Sequence, residues 1–252
     1  MGKKGGKKHL KRKPAPKSWH IHRKEFVWAP RPMPGPHPIS NCIPLTLIVR
    51  DILGFAKTQK EAKIVISQGK LKVDGKIQRE GRFPAGLMDV VFIPEVKGTY
   101  RILPSRKGLM LHPIEASETD FKLCRIEDKT IVRGGHIQLN LHDGTNLLFR
   151  AKESENVEEE VYETLSTLKI SVPNREVLEY IRFVEGAYAL VTGGKNAGQH
   201  GKIVAIEEKP EQKRRDLLVT IEDKNGVKFQ TTLDYVFVVG STKPEISLPE
   251  VE

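Results

Sequence analysis

Residues 57–75 read KTQKEAKIVISQGKLKVDG, and this stretch decides the fold of the first folded unit. Thr58-Gln59-Lys60-Glu61 has the form of a capping box, in which the Thr hydroxyl and the Glu carboxylate satisfy the first free amides of a helix. Ala62, Val65 and Ile66 share one face of that helix, and Gly69 ends it. Leu71 and Val73 then alternate with Lys70 and Lys72, and Asp74-Gly75 specifies a tight hairpin. Upstream, Pro44 opens a second helical pattern with Leu45, Ile48 and Ile52 on one face and Gly54 as its stop. The unit, about residues 43–96, carries a net charge of +3. Its outward face gathers Lys57, Thr58, Gln59, Lys60, Lys63, Gln68, Lys70 and Lys72, a set of plural, replaceable donors suited to phosphate.

Working outward toward the N-terminus, the charge becomes one-sided. Residues 1–42 hold eleven Lys and Arg against a single acid, Glu25, so this arm accounts for the whole net charge of +10 in the 252-residue chain. Such an arm gains counterion-release free energy on a polyanion. Its candidate contacts are Lys3, Lys4, Lys7, Lys8, His9, Lys11, Arg12, Lys13, Lys17, His20, Arg23, Lys24, Arg31 and His37, with Trp19 and Trp28 able to stack on unpaired bases. Residues 1–24 offer little to bury and are expected to be disordered when free. Ala29 to His37 and Pro38 follow with five prolines in ten residues, which requires an extended strap. Pro14 after Lys11-Arg12-Lys13, Pro16 and the lack of an apolar face speak against an amphipathic membrane helix. His20 and His22 lack a third ligand, so solvent or nucleic acid rather than metal is their expected neighbour.

Composition closes off other classes. No run approaches the roughly 18 apolar residues that span a bilayer, and the charged N-terminus has no apolar core behind it. A soluble, unsecreted protein is expected. The two cysteines, Cys42 and Cys124, lie far apart without a CxxC pattern, which excludes a zinc ribbon and suggests reduced thiols.

Downstream, residues 97–172 alternate in short runs, Tyr100–Leu103, Leu109–His112, Lys122–Ile126, Thr130–Val132, His136–Leu141, Asn146–Phe149 and Leu168–Val172. Turn signals at Gly134-Gly135 and Asp143-Gly144 divide them, so a small all-β domain is expected. Its net charge is −1, and Glu153 to Glu163 holds six glutamates in eleven residues, an expected exposed loop turned away from RNA. His136 and His142 read as ordinary surface histidines.

The last unit, about 173–243, carries a glycine-rich bend, Thr192-Gly193-Gly194-Lys195-Asn196-Ala197-Gly198-Gln199-His200-Gly201-Lys202, between two strands. A nucleotide-binding P-loop would need Gly where Asn196 stands and Ser or Thr where Ile203 stands, and a helix after it. It fails on each count. Lys195, Asn196, Gln199, His200 and Lys202 on the bend are candidate phosphate and base contacts, and strands Leu217–Ile221, Lys228–Leu233 and Tyr235–Val239 would close a small barrel. An acidic tail is expected from 244 to 252, mobile over Ile246–Glu252.

These units resemble known RNA-binding modules. Thr58, Glu61, Ala62, Ile66, Gly69, Val73, Gly75 and Met88-Asp89-Val90 stand where the alpha-L RNA-binding motif expects them, and the glycine bend resembles the KOW motif. Over nearly the full length the chain resembles the small-subunit ribosomal S4e family. The resemblance is carried in order by Lys7-Lys8-His9-Leu10-Lys11-Arg12, Ala15-Pro16-Lys17-Ser18-Trp19, Ala29-Pro30-Arg31-Pro32 with Gly35-Pro36-His37, Phe83 to Val90, Lys122-Leu123-Cys124 and Val191-Thr192-Gly193-Gly194. One departure is the end, Leu248-Pro249-Glu250-Val251-Glu252, where eukaryotic members tend to be basic.

The resemblance implies a structural ribosomal protein that binds small-subunit ribosomal RNA and neighbouring ribosomal proteins, and supports assembly and translation. No catalysis, cofactor, metal, membrane or small-molecule substrate is implied. The expected fold class is α+β, β-rich and multidomain: a basic extended arm over 1–42, an alpha-L domain over 43–96, a central β domain over 97–172, a KOW β-barrel over 173–243 and an acidic tail over 244–252. Two rivals come from other classes. An RNA-modifying enzyme could carry an alpha-L domain, but it would need a large pocketed domain and a nucleophile–base pair that the sequence lacks. A transcription or RNA-processing adaptor could use the KOW element, but leaves the basic arm unexplained.

Overall fold

The computed structural model describes residues 8–94, 98–150, 162–207 and 217–249. The described chain is β-rich, with few helices and three five-stranded antiparallel sheets. The arm enters through a two-stranded ladder of β1 (Leu10–Lys11) and β2 (Trp28–Ala29). Another small ladder pairs β3 (Cys42–Pro44) with β6 (Pro84–Gly86).

Between those strands lie both α-helices of the described residues. Helix α1 (Leu45–Leu47) follows Pro44 and widens into a π-helical turn over Ile48–Ile52, ended by Gly54 at φ +68°. Helix α2 (Gln59–Ser67) starts at the expected capping box: the Glu61 amide donates to the Thr58 hydroxyl at 3.2 Å, and the Glu61 carboxylate accepts from the Thr58 amide at 3.4 Å. Ala62 and Ile66 are its buried residues. Strands β4 (Lys72–Val73) and β5 (Lys76–Ile77) form the expected two-residue hairpin, with Asp74 and Gly75 at φ 47° and 71°. Both φ values lie in the left-handed region that an Asp-Gly turn of this type demands.

The first large sheet has the order β5-β4-β7-β8-β9, adding β7 (Val90–Ile93), β8 (Gly98–Ser105) and β9 (Gly108–Pro113). It therefore runs across residue 96, where sequence pattern placed a division. The second has the order β12-β11-β10-β13-β14, from β10 (Phe121–Ile131), β11 (Ile137–Leu141), β12 (Asn146–Phe149), β13 (Thr167–Ser171) and β14 (Val177–Ile181), and it runs across residue 172. Strand β10 merges two of the expected strands, through a register shift between Ile126 and Asp128. The third has the order β18-β17-β16-β15-β19, from β15 (Tyr188–Val191), β16 (His200–Ile206), β17 (Leu218–Glu222), β18 (Lys228–Thr232) and β19 (Val236–Gly240). Alternation fixed each strand's faces but not its neighbours, because a period of two carries no information about pairing partners.

The sheets share apolar cores. One joins the third sheet to Met88, Leu103 and Leu123, and another joins the first unit to Ala15, Trp19 and Ala29 of the arm. Arg125 bridges β10 to the third sheet by donating to the Asp234 and Val236 carbonyls, each at 2.8 Å. The expectation of a mobile tail is corrected over residues 246–249. Ile246 is buried in the first of these cores, and the Ser247 amide donates to Glu118 at 2.9 Å. Most of the Glu153–Glu163 run, and residues 250–252 of the tail, lie outside the described residues.

Candidate nucleic-acid interface

The arm is packed from residue 8 onward, which corrects the expectation of free disorder for residues 8–24. Its few apolar side chains suffice because they insert into a core that the first unit leaves open. Trp19 is only 3% exposed, and its indole N–H donates to the Cys42 carbonyl at 2.6 Å. It is a core residue rather than a stacking platform. Arg12 is likewise buried, donating to the His22 carbonyl at 2.5 Å and facing Glu25 and Asp51 at 3.5 and 3.6 Å. Arg23 is half-buried and gathers the carbonyls of Arg12, Lys13, Ala15 and Pro16 within 3.2 Å, so its guanidinium holds the arm's own loop. His37 is buried as well, donating to Asp89 at 3.1 Å. Burial turns Trp19, Arg12 and His37 inward, and Arg23 spends its guanidinium on backbone carbonyls of the arm.

What remains outside is still strongly basic. Lys8, His9, Lys11, Lys13, Lys17, His20 and Lys24 are exposed, and Arg31 is partly so. Lys3, Lys4 and Lys7 lie outside the described residues. Trp28 is 57% exposed, with the His9 ring 5.7 Å away and the Lys11 ammonium 5.9 Å from its ring centroid. Antiparallel pairing of Lys11 with Trp28 creates that neighbourhood.

On the helix–hairpin face Lys57, Thr58, Gln59, Lys60, Lys63 and Gln68 are exposed, and Lys70 and Lys72 are half-buried. The Thr58 hydroxyl is engaged in the helix cap, so Thr58 organises the face. The Glu61 carboxyl is held below its ordinary range by the Lys57 amide and by Thr58, which keeps the cap anionic.

At the glycine bend Lys195 and Lys202 are exposed, while Asn196 and Gln199 are half-buried. The Asn196 amide donates to the Gln230 carbonyl at 3.1 Å. His200 is buried: Nδ1 lies 2.7 Å from the Tyr188 hydroxyl, and Nε2 donates to the Pro249 carbonyl at 3.2 Å. Burial pushes its pKa down, so it is a neutral core group rather than an RNA contact. The close approach at the bend is made by the chain itself. A Cβ on Gly198 would lie 2.9 Å from the Ser105 Cα.

The sequence reading missed two features. One is a buried ionic knot at the meeting of arm, first unit and second sheet. The Lys122 ammonium donates to Asp74 at 2.9 Å, Asp89 at 2.5 Å and Asp143 at 3.3 Å. Burial works against the charged ammonium, but Asp89 and Asp74 outweigh it and raise its pKa well above the usual value. Burial would raise the Asp89 carboxyl too, yet Lys122 and His37 hold it low. Asp143 is held at about 2 against the same burial, chiefly by Lys122. Asp74 is pushed up by burial and by Asp89. His142 sits beside this knot, its Nδ1 accepting from the Arg125 amide and its Nε2 donating to the Leu87 carbonyl, both at 3.2 Å. It is a half-buried histidine held by two hydrogen bonds, and desolvation and the Lys122 charge push its pKa down to about 3. No local signal marks such a knot, since its members are separated by up to 69 positions, from Asp74 to Asp143.

The other missed feature is the turn between β8 and β9, where Arg106 and Lys107 are exposed. Its signal was available: two basic residues before a glycine, between two alternating runs. Among the described residues no group of three or more His, Cys, Asp or Glu is arranged to hold a metal ion, and no helix is long and apolar enough to cross a membrane. Both cysteines are buried and unpaired, and burial pushes the Cys42 thiol up to about 12.

Comparison with known proteins agrees along the whole chain. The profile of Ribosomal family S4e matches residues 96–177, and that of the RS4NT domain matches residues 4–40. Small ribosomal subunit protein eS4 of Staphylothermus marinus is 51% identical over 251 residues, covering 99% of each chain. The protein of the same name from Methanocaldococcus jannaschii is 48% identical over 252 residues, covering 98% of this chain and all of that one. The crystal structure of the 30S ribosomal protein S4e from Thermoplasma acidophilum superimposes with a TM-score of 0.66 at 30% identity, covering 80% of this chain and 96% of that one.

Proposed function

The chain belongs to the ribosomal family S4e, and from that membership we propose that it is a structural component of the small ribosomal subunit. It binds small-subunit ribosomal RNA, touches neighbouring ribosomal proteins, and supports subunit assembly and translation in the cytoplasm without catalysing a reaction. The observation that carries this reading is identity of about half to small-subunit eS4 proteins along the full length. The one-sided charge supports it, because a basic arm on an otherwise balanced body suits a polyanionic partner.

Finer assignments follow as part of the same proposal. Residues 1–42 act as a basic anchor, 43–96 as an alpha-L RNA-binding unit, 97–172 as a central β unit, 173–243 as a KOW barrel and 244–252 as an acidic tail. Arm contacts are assigned to Lys8, His9, Lys11, Lys13, Lys17, His20, Lys24, Trp28 and Arg31, all at least partly exposed. The helix–hairpin contacts are Lys57, Gln59, Lys60, Lys63, Gln68, Lys70 and Lys72, and those of the bend are Lys195, Asn196, Gln199 and Lys202. Phosphate contacts of this kind position the protein on folded RNA and are individually replaceable.

The test is binding of the full-length protein to small-subunit ribosomal RNA across a salt series. Wild-type protein should bind and be released at high salt. Lys60→Glu with Lys63→Glu, both exposed, should weaken binding about tenfold or more and flatten the salt dependence, with an unchanged circular dichroism spectrum. Failure of the wild-type protein to associate with the RNA or with small subunits would overturn the function. An unaltered double variant would remove the helix–hairpin face from the interface.

A further inference from the structure

We propose a second RNA site, resting on the reading just given: the cleft between the arm, the β8–β9 turn and the glycine bend holds an unpaired stretch of ribosomal RNA. Its walls enclose about 600 Å³, in the range of pockets that take nucleotide-sized ligands. They come from three distant segments, with Lys17 and Ser18 on the arm, Arg106 and Lys107 on the turn, and Gly193 and Tyr235 on the third sheet's side.

The turn is wedged in place. Gly108 has φ +133°, and a Cβ there would lie 2.4 Å from the Ser18 carbonyl oxygen. On its other flank the turn meets Gly198, where a Cβ would come within 2.9 Å of Ser105. Arg106 and Lys107 are therefore displayed from a backbone clamped on two sides, and a preorganised donor loses less freedom on binding.

The cleft's free charge is positive. Arg125 lines it, but its guanidinium is taken up by Glu127, at 2.6 and 2.9 Å, and by two backbone carbonyls. That pair neutralises itself, which leaves Lys17, Arg106 and Lys107 exposed against Asp234 alone among the charged walls. Three cations beside one acid suit phosphate oxygens. A stacking surface completes the site: the Tyr235 ring is 43% exposed and lies on the glycine pair, where a Cβ on Gly193 would stand 2.8 Å from it. An exposed aromatic next to backbone-tracking cations is how unpaired strands are gripped. The exposed Tyr235 ring calls for an unstacked base, which loops, bulges and strand ends supply and a paired duplex does not, so the occupant is a loop, bulge or splayed nucleotide.

The experiment compares four full-length proteins with the wild type on small-subunit ribosomal RNA. Arg106→Glu with Lys107→Glu should lower affinity about tenfold or more and reduce the salt slope by about 1 to 2, since up to two phosphate contacts are lost. Tyr235→Leu should lose about tenfold, while Tyr235→Phe keeps the stacking ring and wild-type affinity. Lys60→Glu with Lys63→Glu serves as the reference for the helix–hairpin face. Ultraviolet cross-linking in reconstituted subunits should join RNA to Tyr235 or to residues 105–108. The proposal is overturned if the turn variant keeps wild-type affinity and slope, or if cross-links from this cleft reach a ribosomal protein segment in place of RNA. Wild-type protein that binds no ribosomal RNA would sink the function and this site together, a result distinct from loss in the turn variant alone.

Discussion

Trp19 and Trp28 stand nine positions apart in the same basic arm, yet one is core and the other surface. The difference is a matter of what each ring finds. The loop after β1 folds back so that the Trp19 indole reaches the Cys42 carbonyl, whereas ladder pairing sets Trp28 over Lys11. His142 makes a similar point with a measurable consequence. Its folded pKa lies near 3, well below the ordinary value of about 6.5, so the unfolded state binds the extra proton between those limits. Stability contributed by the neutral imidazole is therefore full above pH 6.5 and lost as pH falls toward 3. The groups facing it are Lys122, Asp143 and His37. Urea midpoints taken from pH 7 down to pH 4 should decline, and His142→Gln should remove on the order of 2–3 kcal/mol of that decline.

At the scale of elements, helix α2 is the part most governed by local chemistry. Thr58 and Glu61 close the capping box within four residues, and Gly69 at φ +77° ends the helix. Thr58→Ala should cost about 1 kcal/mol, read as a lowered thermal midpoint, because one amide of the first turn loses its acceptor. The β4–β5 hairpin was legible for the same reason, its Asp-Gly pair imposing the turn without help from elsewhere. Sheet membership was not legible. Strands β8 and β9 carry an alternation that would fit any half-buried sheet, and they join the helix–hairpin unit because Val90 to Ile93 offers them a free edge. The RNA-facing candidates divide along the same line. Those on α2 are displayed as the helical pattern requires, while Arg12, His37 and His200 were misread because nothing local announces their partners.

Across the whole molecule the Lys122 knot joins the arm, through His37 and Asp89, to the hairpin at Asp74 and to the second sheet at Asp143. Removing its one ammonium leaves three carboxylates crowded in a buried site. Lys122→Met should therefore destabilise by about 3–5 kcal/mol in denaturant unfolding, and adding Asp89→Asn should recover part of the loss. The knot also explains why the arm cannot be treated as a detachable charge. Deleting all of it would remove Ala15, Trp19 and Ala29 from a core as well as ten net charges from the chain. What the sequence by itself determined is the inventory and its local grammar: where the basic residues cluster, where α2 begins and ends, where the chain turns, and which family the ordered motifs belong to. These rest on interactions between residues a few positions apart. Only the tertiary structure decided which of the basic and aromatic groups are exposed, and that Arg106, Lys107 and Tyr235 share one cleft. Exposure belongs to the packed whole, because a side chain is free or buried according to groups that may stand a hundred residues away.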